Sequence, residues 1–457
     1  MKKSLLLPVV LLCSIIGRAQ ESDSVVMKRI ADQILLKGKC YDDLKVLCKK
    51  VGNRISGSPQ ADKAVAWAEA CMKSTGCDKV WLQPVMVPVW QRGEEHLALQ
   101  FGADEAFIDV PMSSLGNSEG TKDKIVKAPI IMVHSFEEFE QLSPSAIEGK
   151  IIFFNYRFRQ DFTQTFLGYS DAVKYRWQSP IIAGKKNITA IIIRSISTGK
   201  DDFPHTGSTK YAEGGKQYPI VAIGNETADK LERACKEGKA AAMLRSNCGM
   251  KGNALSYNVI GEITGSTAAK DYILVGGHLD SWDIGEGAHD DGAGCVQSIE
   301  VLSTIKQLGI QPKHTIRAVL FMNEENGLKG GTAYADSALA RKEHHVFALE
   351  SDAGGFSPRG IETTMSTAQR AAFKKYIPLF LPYGVYDFER EGGGADVGPL
   401  KKQAVVIGEL IPDSQRYFDV HHTNNDVFET VNHRELKLGA AAMTMMIYLI
   451  DQHNLLD

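Results

Sequence analysis

Residues 276–294 read Gly276-Gly277-His278-Leu279-Asp280-Ser281-Trp282-Asp283-Ile284-Gly285-Glu286-Gly287-Ala288-His289-Asp290-Asp291-Gly292-Ala293-Gly294. The apolar Tyr272-Ile-Leu-Val before them reads as a buried strand, and residues 292–308 after them carry helical spacing. His278 therefore falls just past a strand end, at the start of a polar, glycine-rich loop. The same rhythm recurs on both sides of this unit. Strand-like runs lie at 256–263, 315–322 and 346–350, and helical stretches at 328–342, 366–380 and 434–452. Alternating strands and helices predict an α/β fold, a mostly parallel mixed sheet flanked by helices on both faces. Right-handed crossovers bring the C-terminal strand ends to one edge, where ligands bind in such sheets.

The residues that fall at those ends are of one chemical kind. His278 and Asp280 follow one strand, Glu324 and Glu325 follow Met322-Asn323, and Asp352 follows the run at 346–350. Asp290 sits in the glycine-flanked loop, and His422 stands in Asp419-Val-His421-His422-Thr-Asn-Asn-Asp426. Peptide hydrolysis needs an acidified water and a means of polarising a carbonyl, and a pair of metal ions supplies both. Neutral imidazoles and ionised carboxylates are the ligands such ions take. Asp280 is read as the orienter of His278, its carboxylate on the far ring nitrogen. Asp290 can bridge two ions through its two oxygens. Adjacent Glu324 and Glu325 cannot point the same way, so one can coordinate while the other faces the water.

These pieces resemble the M28 family of zinc peptidases, in its carboxypeptidase Q type. The matching segments are Gly277–Asp283, Gly287–Gly294, Asn323–Gly330, Glu350–Gly354 and His421-His422-Thr423, with Gly52–Pro59 similar to the family's N-terminal signature. The resemblance implies one zinc on His278, Asp290 and Asp352, and a second on Asp290, Glu325 and His422. His422 is preferred to His421 for its place before Thr423. It implies Glu324 as general base, a cis bond at Asp290–Asp291, and a homodimer. Manganese or cobalt would also suit these ligands. The loop Gly392–Gly398 lacks a His that many relatives carry beside Asp396. Tyr417, Ser414 and residues 391–399 are candidates for the substrate wall.

The rest of the chain sets bounds. Its 457 residues exceed one typical domain. The division read from the sequence is a signal peptide at 1–19, a peptidase domain at 20–104 plus 251–457, and a β-rich insert at 105–250. The insert resembles a protease-associated domain, most closely at Glu148-Gly-Lys150-Ile-Ile-Phe-Phe. Lys2-Lys3, the apolar Leu5–Ile16 and small residues near Ala19 predict export to the periplasm or the outside of the cell. No stretch is long enough for a membrane span. A net charge of −3 without a basic cluster excludes nucleic acid as a partner. Seven cysteines follow residue 19. They allow one or two disulfides, with Cys71 and Cys77 close enough in sequence to pair.

The expected function is therefore hydrolysis of short peptides by a two-zinc exopeptidase, acting as dipeptidase or aminopeptidase. Two other readings share the architecture: a single-zinc glutaminyl cyclase, and a non-catalytic receptor. The full ligand set for a second metal argues against the first, and Glu324 argues against the second. His134 and His314 read as structural, and Cys295 as a small core residue rather than a nucleophile.

Overall fold

Apolar runs and helical stretches assemble into two sheets in the computed structural model, which describes residues 21–456. The export signal read at 1–19 lies outside those residues. The first sheet has seven strands, in the spatial order Lys79–Gln91, Gly249–Ile263, His314–Phe321, Ala268–His278, His344–Glu350, Val406–Pro412 and Pro358–Thr363. The strands from His314–Phe321 through Val406–Pro412 run parallel, and the flanking pairs are antiparallel. The sheet is mixed, with a parallel centre. Every residue of His314–Phe321 is buried, as expected of a strand covered by helices on both faces. Lys79–Gln91 is an edge strand, the place where Pro84 and Pro88 can sit without breaking a ladder on both sides.

Helix Ala293–Leu308 runs back from the glycine-flanked loop, buried from Ala293 to Ile305. It packs beside helix His433–His453, which is capped by the Asn432 side chain. Helix Asp23–Lys37 lies on that last helix. Asp23 accepts from the Tyr448 hydroxyl at 3.2 Å and meets His453 Nε2 at 3.0 Å. The helical stretch read over 366–380 is broken. Thr367–Phe373 ends, and a new turn starts at Ile377 with Pro378 in its first positions, where a proline is tolerated. Cys71 and Cys77 do not pair; all seven cysteines among the described residues are free thiols.

The second sheet has eight strands, all between Glu95 and Ser246. It begins ten residues ahead of the boundary read at 105, because Glu95–Gln100 pairs with Ala241–Ser246 rather than with the first layer. Ile151–Phe154, Ala190–Arg194 and Ile220–Ile223 form its fully buried parallel centre. Arg92 rivets the two sheets together where the chain passes between them. Its guanidinium bonds Asp283 of the glycine-rich loop at 2.6 Å, and the Ser113 hydroxyl and Ser114 carbonyl of the insert at 2.8 and 2.6 Å. No helix among the described residues is long and apolar enough to cross a membrane.

Candidate metal centre

The ends of three parallel strands deliver the first of the expected site residues. His278 closes its strand, Glu324 follows Phe321 by three residues, and Asp352 follows Glu350 by two. Helix Ala293–Leu308 fixes the loop between. Asp291 turns inward, its Oδ2 accepting the His278 N–H at 3.0 Å and its Oδ1 the Gly294 N–H at 2.9 Å. A Cβ on Gly294 would stand 1.9 Å from the Ser351 carbonyl oxygen, so only glycine lets the helix start this close to the sheet. The Asp290–Asp291 peptide is cis.

Asp290 points the opposite way from Asp291. Its Oδ1 lies 3.1 Å from His278 Nε2, and its Oδ2 lies 3.1 Å from His422 Nε2. Asp352 Oδ1 is 3.2 Å from the same His278 nitrogen. Glu325 Oε2 is 3.3 Å from His422 Nε2, while its Oε1 accepts the Trp282 N–H at 3.1 Å. His421 stacks on His422 with ring centroids 3.6 Å apart, and its Nε2 is 3.6 Å from Asp290 Oδ2. The expected ligands thus converge on Asp290, with His421 at their margin. His289 stays out, because its Nδ1 accepts the Gly355 N–H and its ring stacks on Phe356.

The far ring nitrogens show how the histidines are oriented. His278 Nδ1 donates to the backbone carbonyl of Asp280 at 3.0 Å, and the Asp280 carboxylate is 3.9 Å away. The orienter is therefore the main chain of Asp280 rather than its side chain. That side chain accepts the N–H groups of Asn323 and Glu324 at 2.7 and 3.0 Å, tying the two strand ends together. His422, in a left-handed backbone conformation, sets its Nδ1 3.2 Å from the Thr206 carbonyl of the insert. With Nδ1–H donated there, Nε2 is left as the coordinating lone pair.

Other parts of the frame escaped sequence reasoning. Arg54 is fully buried and donates to the carbonyls of Leu279, Glu286 and Gly287 at 2.6, 2.7 and 2.9 Å, holding the loop from below. Ser56 accepts from Asn323 Nδ2 at 2.6 Å. Asp426 accepts the N–H groups of His289 and Asp290 at 2.7 and 3.2 Å. The motifs at 52–59 and 419–426 contained these residues, but only their folding partners reveal what they do. Of the proposed wall residues, Tyr417 lines the cleft, whereas Ser414 bonds Thr165 away from it.

Electrostatics fits the donor set to cations. Burial raises the Glu324 carboxyl to about 8; His278 opposes this, and Asp352 and Asp290 add to it. Burial, then Asp290, lifts Glu325 well above the carboxylate range. Asp290 is instead held well below it, burial notwithstanding, by His278 and His422. Two groups of donors, His278 with Asp290 and half-buried Asp352, and the fully buried Asp290 with His421 and His422, each have their ligand atoms within 4.8 Å of one another. Asp290 Oδ2 is buried and, although 3.1 Å from His422 Nε2, makes no well-aligned hydrogen bond. Acids this crowded raise one another's pKa, and divalent cations among them would restore ordinary acidity. Cys295 is a buried thiol donating to the His278 carbonyl, its pKa pushed up by burial, which suits a core role.

The model of peptidase family M28 matches residues 258–447. Carboxypeptidase Q from Bos taurus is 32% identical over 415 residues, spanning 91% of this chain and 85% of that protein, and the Homo sapiens protein matches to the same extent. Among solved structures, a peptidase M28 precursor from Shewanella amazonensis SB2B superposes with a TM-score of 0.89 at 32% identity, over 94% of this chain and 96% of that one. An Aneurinibacillus aminopeptidase shares the fold at a TM-score of 0.62 and 21% identity, over 94% of this chain and 96% of its own. With those strand-end residues gathered around Asp290, the chain belongs to peptidase family M28 and is a hydrolase of its metallo-exopeptidase class.

Proposed function

We propose that the protein is an exported exopeptidase that binds two zinc ions and hydrolyses short peptides, as a dipeptidase or aminopeptidase. His278, Asp290 and Asp352 hold one ion; Asp290, Glu325 and His422 hold the other. The observation that carries this reading is the divided aim of Asp290, one oxygen 3.1 Å from His278 Nε2 and the other 3.1 Å from His422 Nε2. Zinc bound there would polarise the scissile carbonyl and acidify the attacking water.

Glu324 is the proton carrier. It takes the proton from the water and returns it to the departing nitrogen, the task of a carboxyl placed beside the ligands without being one. The Asp280 carboxylate fixes the backbone from which Glu324 projects. The insert serves as a protease-associated domain and closes the cleft above His422. The leader at 1–19 directs the chain to the periplasm or beyond, and the working form is a homodimer.

Metal content measured beside a small substrate panel tests the reading. Two metals per chain, with cleavage of free dipeptides or aminoacyl amides but not of N-blocked dipeptides, is the expected result. One metal or none, with no peptide cleaved, would overturn it.

A further inference from the structure

A second cavity, of about 400 Å³, adjoins the cleft over the candidate metal centre and shares Phe166 with it. It reaches Ala353, the neighbour of Asp352, and its volume is within the range of small-ligand sites. Phe166, Leu167 and Ile411 give it apolar walls, and Glu409 faces it from the sheet. The register of the strands explains how that carboxylate is placed. Glu350 pairs with Glu409 on strand Val406–Pro412, and Glu409 pairs in turn with Glu362 on strand Pro358–Thr363. Residues directly opposite in neighbouring strands project to one face, so three glutamates stand in a row across the sheet.

The loop at 392–397 holds the two outer glutamates and leaves the middle one open. Glu350 accepts the N–H groups of Asp396 and Val397 at 3.2 and 2.9 Å, and Glu362 accepts from the Gly393 backbone. A Cβ on Gly392 would run into the Glu362 carboxylate, and one on Gly394 into that of Glu350, so glycines let the loop lie against both. Among the described residues no hydrogen bond or ion pair engages the Glu409 carboxylate. The charges that bear on it most are themselves carboxylates, those of Asp352, Glu350, Glu362 and Glu324. Arg390, also on the cavity wall, is engaged by Asp387, to which its Nε donates at 2.7 Å. Like charges opposite one another on adjacent strands are unfavourable until a cation joins them. A bare metal ion takes a shell of oxygens, whereas apolar walls beside one open carboxylate suit an alkyl chain tipped with a cation.

We propose that this cavity receives the side chain of a lysine or arginine beside the bond being cleaved, with Glu409 as the residue that selects its charge. This rests on the peptidase reading of the neighbouring centre. The test compares kcat/KM of the metal-loaded protein on lysyl-alanine against norleucyl-alanine, and on alanyl-lysine against alanyl-norleucine. Norleucine keeps the alkyl chain and lacks the ammonium, so each pair isolates the charge, and the two orders place the cavity before or after the bond. In one order the wild type should favour lysine by about 10- to 100-fold, the scale of a charge-assisted hydrogen bond. Glu409→Gln should remove that preference, mainly through KM, with metal content retained. Leu167→Lys alters an exposed wall residue and should weaken the preference independently, even if Glu409→Gln does not fold.

Equal wild-type rates within both pairs would overturn the proposal, and so would a preference for norleucine, which marks an apolar subsite. A lysine preference that survives in Glu409→Gln, or that Leu167→Lys leaves untouched, would overturn it too, because its source would lie outside the cavity. So would a Glu409→Gln loss shared equally by lysine and norleucine substrates and accompanied by metal loss, the mark of a merely structural glutamate. If the wild type cleaves none of the four, the peptidase reading fails, and calorimetric binding to the metal-loaded wild type decides the inference separately. Tighter binding of the lysine member of a pair, removed by Glu409→Gln, sustains it; equal binding overturns it.

Discussion

The Oδ1 of Asp280 accepts the backbone N–H of Glu324 at 3.0 Å, so a carboxylate at one strand end fixes the position of the proposed proton carrier at the next. Asp280→Ala should therefore lower turnover by about 10- to 100-fold, the usual cost of losing a partner behind a metal site. Asp280→Asn keeps an acceptor at the same place and should lose far less. Steady-state rates with metal analysis on both variants check this, and equal losses would contradict it.

Glu324→Gln keeps the shape of the side chain and removes its ability to take up and release a proton. Turnover should fall by roughly 10²-fold or more while metal content stays at the wild-type level. Unchanged turnover would remove Glu324 from the chemistry.

Asp290 serves two histidines at once, so Asp290→Ala should lose metal as well as activity. Emission spectrometry after dialysis reads the metal directly. Full occupancy in that variant would rule out the bridge.

His345 predicts a pH dependence away from the metals. Its Nε2 accepts the Tyr334 hydroxyl proton at 2.7 Å, and its Nδ1 is buried without a partner. Burial, with the Arg317 cation nearby, pushes its pKa down to about 3, against about 6.5 in the unfolded chain. The unfolded state therefore binds the proton first as pH falls. This histidine's share of stability is whole above about pH 6.5 and drains away toward pH 3, by up to about 1.4 kcal/mol per pH unit. The raised acids of the centre shift the opposite way, so the effect is read as a difference. Urea unfolding of wild type and His345→Gln between pH 7.5 and 5 should show a steeper acid-side loss in the wild type. Parallel curves would mean that His345 carries its proton in the fold.

The free cysteines give a simple check. Thiol titration of the denatured chain from residue 20 onward should count seven, and reductant should leave the melting temperature unchanged. A lower count would reveal a disulfide.

How far the sequence could be read follows from what each signal depended on. The strand at 268–278 and the helix at 293–308 showed themselves by local periodicity, and with them the place of the proposed ligand His278. The strand Val406–Pro412 did not, although it lies inside the sheet, because Gly408 and Glu409 interrupt its apolar run. The ligand types were legible since coordination chemistry restricts them to a few residues. Their supports were not. Thr206 lies 216 positions from His422, and Arg54 lies 225 from the carbonyl it holds at Leu279; no spacing rule links residues that meet only through the fold. The role of Asp280 was misread because proximity in sequence suggested a bond to His278 that its own backbone makes instead.

Helix Asp23–Lys37 rests on helix His433–His453, and this clasp between the two ends of the chain has a consequence in time. A ribosome must pass His453 before the layer bearing the proposed metal ligands can close. The sheet between Glu95 and Ser246 has all its strands when some two hundred residues are still unmade. Domains fold as units while synthesis proceeds, so the insert becomes an early island of order in an otherwise open chain. Until the last helix arrives, the layer that carries His278, Asp290 and Asp352 stays open, and completion of the candidate metal centre becomes one of the final events in the birth of the molecule.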